Sequence, residues 1–128
     1  MNMNRKVVGY FEGTDPAVMT SLICDDCDTI PISNGFDNYG QHVRLFNVEN
    51  KVDLMVGYLH KIIAPIGADT QAEDVMHVCE IYQIPFLVIV PQELHDCARR
   101  HLEHWPEMVQ FVDPGALLEE ARKILRGQ

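Results

Sequence analysis

Three groupings of side chains in this chain have types and spacings suited to chemistry. The first is Cys24-Asp25-Asp26-Cys27, a spacing at which two thiolates can share one metal or form a dithiol redox pair. A closed zinc site needs two further ligands, and the chain has no second C-x-x-C and no H-x-x-x-H. The flanking aspartates also oppose thiolate formation. Asp25, Asp26 and Asp28 offer oxygens to a hard cation, but three carboxylates with no partner set read more simply as a solvated turn.

The second grouping is His95, Cys97, His101 and His104. On a helix, Cys97, His101 and His104 fall at i, i+4 and i+7, so they share a face that could present soft ligands. That face also carries Leu94, Ala98 and Trp105, which favours packed, hydrogen-bonded imidazoles over a metal site. Cys79, inside an apolar helical stripe, reads as a small core residue. No resident metal is expected.

The third grouping is His60-Lys61, directly after the apolar run that ends at Tyr58. An imidazole and an ammonium beside helix N-termini can hold an anionic group, and His60 can also move a proton. Gly13, Thr14 and Asp15 follow the first apolar run in the same way. Asn34 and Asp37 stand in a loop containing two glycines, and Asp69 stands in the long connection after Lys61. Open parallel sheets bind ligands outside the carboxyl ends of their strands. This places Gly13, Thr14, Asp15, Asn34, Asp37, Tyr58, Lys61 and Asp69 as candidate ligand-binding residues, with His60 as the candidate catalytic group. Residue by residue, Asp15 and Asp69 also serve as helix caps and the glycines as turns.

Other chemistries fail on their required residues. The first turn, Gly13-Thr14-Asp15-Pro16, lacks G-x-G-x-x-G, and Pro16 removes a backbone donor. Neither G-x-x-x-x-G-K-[ST] nor G-x-S-x-G occurs. With 10 basic and 19 acidic residues the formal charge is −9, which repels a phosphate backbone, so no nucleic-acid partner is expected. The apolar run 86–90 is far too short to span a bilayer, and no membrane partner is expected. Residues 1–6 run straight into Val7-Val8 without the long apolar segment of a secretory signal. The four cysteines are therefore expected as reduced thiols in the cytoplasm.

Those side chains need elements to position them. Residues 86–90, bounded by Pro85 and Pro91, read as a strand buried on both faces. Before it, Thr70 and Glu73 fit a capping box that opens a helix through Tyr82. After it, residues 92–105 read as a helix stopped by Pro106, followed by a strand at 108–112. Asp113-Pro114 then starts the last helix. In the first half, 7–11 read as a strand, 16–24 as a helix capped by Asp15, and 29–32 as a strand. Tyr39, Val43 and Phe46 suit one face of a short helix. Residues 51–63 fit a helix or a strand. The strand at 52–58 is preferred because it restores strand–helix alternation along the chain.

The 128 residues, 47% of them apolar, suit one α/β domain. The expected architecture is a three-layer open parallel sheet of about five strands with helices on both faces, flavodoxin-like or Rossmann-like, in the order 2-1-3-4-5. The functional expectation is a small-molecule-binding domain holding a compact, anionic metabolite or cofactor at the strand carboxyl ends. No reaction class follows from the residues. One alternative is a non-catalytic accessory protein whose apolar faces make it a homo-oligomer. Another is a cysteine-based redox or metal function.

Overall fold

The computed structural model describes residues 5–32, 52–62, 79–101 and 107–127. Five strands form one parallel sheet: β1 (Val7–Tyr10), β2 (Asp28–Pro31), β3 (Leu54–Tyr58), β4 (Phe86–Ile89) and β5 (Val109–Val112). Their order across the sheet is β2-β1-β3-β4-β5. The direction of travel reverses at β1, so crossovers of one hand carry the connecting helices to opposite faces.

The packing follows that rule. Helices α1 (Pro16–Cys24) and α5 (Leu117–Arg126) cover one face. There Leu22, Met19, Leu117 and Ala121 bury themselves against Val8, Leu54, Val56 and Leu87. The other face receives α2 (Leu59–Ile62), α3 (79–82) and α4 (His95–Arg99), through Ile62, Cys79 and Ala98 against Phe11, Met55, Phe86 and Val88. The architecture is a three-layer open parallel sheet with helices on both faces.

Two helices end through the same device. Asp26 (φ 69°) and Gln83 (φ 54°) take left-handed conformations just past α1 and α3. The N–H of Asp26 donates to the Ile23 carbonyl and that of Cys27 to Leu22, both at 3.0 Å. Gln83 donates to Glu80 at 3.3 Å and Ile84 to Cys79 at 2.8 Å. Both are Schellman stops, in which the residue after the left-handed one packs back on the last full turn. Leu22 with Cys27, and Cys79 with Ile84, are buried pairs in the two cores.

Between β1 and β3 the fit is large against small. Gly9 stands opposite Met55 in the ladder, and a Cβ there would come 2.7 Å from the Met55 sulfur. At Gly57 a Cβ would come 2.5 Å from the Phe11 ring, which is fully buried and 6.0 Å from the Phe86 ring centroid.

Some boundaries differ from the sequence expectation. The described part of the ambiguous 51–63 segment is both things: β3 begins at Leu54, two residues late, and turns into α2 immediately after Tyr58. His60 and Lys61 thus ride on a helical turn instead of a loop. The helix expected from residue 92 opens as a 3₁₀ turn, Gln92–Leu94, before α4. Pro31 is accommodated because β2 is an edge strand. The short helix expected around Tyr39, Val43 and Phe46, and the Thr70–Glu73 capping box, lie outside the described residues. Among the described residues, no helix is long and apolar enough to cross a membrane.

Candidate functional site

A cavity of about 520 Å³ opens at the carboxyl ends of β3 and β4, between α2 and α4. Leu59, Ile89, Val90, Pro91 and Ala98 form apolar wall, and Leu94, 49% exposed, stands among them. Tyr58, His60, Cys97 and His101 are the lining residues with polar side chains. The strand ends deliver Tyr58 and Val90, and the first turn of α2 delivers His60. The Tyr58 and His60 rings lie 5.9 Å apart at 45°.

The wall carrying Leu94, Cys97 and Ala98 is fastened from two sides. The His95 ring donates from Nε2 to the Val90 carbonyl at 2.8 Å, which requires the proton on that nitrogen. The same ring lies 5.3 Å from Phe111, over which Arg99 also sits. Asp113, at the end of β5, accepts from the Gln92 N–H through Oδ1 and from the Gly115 N–H through Oδ2, both at 2.9 Å. These two backbone donors, with a smaller contribution from His95, hold the Asp113 carboxyl below its ordinary range.

The sequence-derived candidates divide into two places. Tyr58 and His60 border the cavity. Lys61 turns toward the first loop, its Cε 3.8 Å from where a Gly13 Cβ would stand. Thr14 is buried, and its hydroxyl donates to the Phe11 carbonyl at 2.7 Å. Asp15 caps α1 by accepting from the Ala17 N–H at 2.9 Å. The Gly13–Asp15 turn and Lys61 therefore meet, beside the cavity but not on its wall. Asn34, Asp37 and Asp69 lie outside the described residues.

The cysteine turn is built as a helix stop. It joins α1 to β2 at the amino ends of the strands, with Cys24 exposed and Cys27 buried. Burial, and then the Asp25 carboxylate, push the Cys27 thiol up. The carboxylates face arginines: Asp25 pairs with Arg122 at 2.7 Å, and Asp28 with Arg5 at 2.9 Å. Cys79 is fully buried, and burial pushes its thiol to about 12. Among the described residues, no three His, Cys, Asp or Glu side chains converge on a point suited to a metal ion.

Sequence reasoning named Tyr58 and His60 but missed the apolar wall of Ile89, Val90, Leu94 and Ala98. The signal was present in part, since Leu94, Ala98 and His101 share a helical face. What that face looks onto is decided by strand pairing. Set against known proteins, the chain matches no family model, no curated sequence and no solved structure.

Proposed function

We propose that this protein is a small-molecule-binding domain that holds a compact metabolite or cofactor at the carboxyl ends of its central strands. The observation that carries the reading is the cavity between α2 and α4, at the carboxyl end of the sheet where parallel α/β proteins place their ligands, one strand away from the β1/β3 point at which the strand order reverses. Its volume lies in the range of small-molecule sites, and its apolar lining with a few polar groups is the usual composition of such sites. In this reading His60, which borders the cavity, would exchange a proton with a bound molecule, and Lys61, near the Gly13 turn, would belong to the neighbouring rim. The same reading puts the protein to work in the cytoplasm, where its four cysteines would stay reduced.

The test is ligand-induced stabilisation. Compact metabolites screened by thermal shift should include some that raise Tm by binding the folded state. Leu94→Trp, placed at an exposed position on the cavity, should abolish the shift while leaving the unliganded Tm within a few degrees. Shifts that persist in Leu94→Trp would move the site elsewhere. A second reading, self-association, draws on Ile81 and Tyr82, adjacent large side chains 59% and 52% exposed. Sedimentation of the wild type beside Tyr82→Asp decides it.

A further inference from the structure

We infer that the molecule taken by this cavity has an apolar body and one anionic head, the chemistry of a small aromatic or aliphatic carboxylate; this rests on the cavity being a binding site at all. The argument begins with charge. The chain has 19 acidic side chains, yet among the described residues bordering the cavity there is no Asp or Glu. In so acidic a protein, a wall without carboxylates is a place where a negative group meets the least repulsion and a cationic ligand finds no counter-charge.

The kind of anion follows from what replaces the carboxylates. Among the described residues no Lys or Arg borders the cavity either; those on its wall able to carry positive charge are the imidazoles of His60, on α2, and His101, just beyond α4. Each neutral imidazole offers one N–H donor, and each imidazolium two. That suits the two oxygens of a carboxylate. A polyphosphate would call for guanidinium, ammonium or glycine-rich backbone donors, as phosphate-binding sites normally supply, and the described residues of the wall include no Arg, Lys or Gly.

The rest of the wall specifies the body. Leu59, Ile89, Val90, Leu94 and Ala98 present hydrocarbon, and Leu94 keeps half its surface in water. A sugar or polyol would leave its hydroxyls facing these groups without partners. A ring or short chain would cover Leu94 instead, removing apolar surface from water on both sides.

The experiment uses the full chain and three probes sharing one ring system: 2-naphthoate, 2-naphthamide and 2-naphthylmethylamine. Affinities are read by calorimetry, and backbone NMR shifts locate each probe. The expected result is at least tenfold tighter binding of the carboxylate than of the amide, the amine weakest, with shifts centred on Tyr58, Leu94 and Ala98. His60→Gln combined with His101→Gln, both at exposed positions, should shrink the carboxylate's advantage over the amide from tenfold to less than threefold. Equal affinities, or a preference for the amine, at those same residues would overturn the anionic head while leaving the cavity a binding site. Failure of all three probes to perturb Tyr58, Leu94 and Ala98 would overturn the binding-site reading itself.

Discussion

Asp113 and Gln92 stand 21 residues apart in the chain, yet the carboxylate of one caps the 3₁₀ turn begun by the other, at 2.9 Å. The same carboxylate caps Pro114–Ala116 through Gly115. One side chain thus joins the carboxyl ends of β4 and β5, and through Gln92–Leu94 it sets the start of the cavity wall.

Removing that link should be visible in stability and in its pH dependence. Asp113→Ala is expected to lower Tm by roughly 4 °C at pH 7, the scale of a lost N-cap in a domain of this length. Because the folded-state pKa is depressed, the contribution is complete above the ordinary carboxylate range. It is lost as pH falls through the lower, folded-state value. The Tm gap between wild type and variant should therefore hold from neutral pH to about pH 5, then close on further acidification. A gap independent of pH would show that the charge plays no part.

Gly57→Ala should destabilise by about 2 kcal/mol, since its Cβ would meet the buried Phe11 ring at 2.5 Å. Gly9→Ala should cost less, because its new neighbour is the flexible Met55 thioether. Phe11→Leu combined with Gly57→Ala should cost less than the sum of the single changes, with a coupling above ~0.5 kcal/mol in urea denaturation. Strict additivity would refute the contact.

At Gln83 the backbone is left-handed at φ 54°, a conformation that costs a side-chain-bearing residue roughly 1–2 kcal/mol and glycine little. Gln83→Gly should raise the unfolding free energy by up to ~1 kcal/mol, after the extra freedom glycine gives the unfolded chain. Loss of stability would argue that the Schellman stop at 79–84 is not the native termination of this helix.

The thiols should separate into two classes. Cys24 and Cys97 are exposed, whereas Cys27 and Cys79 are buried. With Cys79 buried and its thiol pushed up to about 12, little of it carries the thiolate at pH 8, and the thiolate is the reacting form. A disulfide reagent should therefore titrate two thiols in the native protein and four in denaturant. Mass mapping should assign the first two to Cys24 and Cys97.

Much of the fold was written locally. Val7-Val8, the Phe86–Ile89 run, Asp15 before Pro16 and Asp113 before Pro114 each carry their own strand or cap chemistry, and the structure places each as those signals imply. The strand order agrees with expectation because alternating strands and helices leave few ways to cover both faces of a sheet. The start of α2 was illegible: the apolar spacing over 51–63 allowed a helix, but Tyr58 stands immediately before Leu59 in place of a Ser, Thr, Asp or Asn, so no cap marked where a helix begins. Half the candidate site was hidden for a different reason. Tyr58 and His60 were identifiable as residues following a strand, but their opposite wall comes from residues 89–101. That pairing exists only once β3 and β4 lie side by side.

The two glycine fits between β1 and β3 reach beyond folding, into how this sequence can drift. Gly9 with Met55, and Gly57 with Phe11, each divide a fixed volume between neighbouring strands. Within each pair, a glycine can gain a side chain only where its neighbour shortens. Any lineage that enlarges one partner must pass through an overfilled or a hollow intermediate, so mutation should explore these four positions two at a time. The fit that aligns the strands is also a lock on their history.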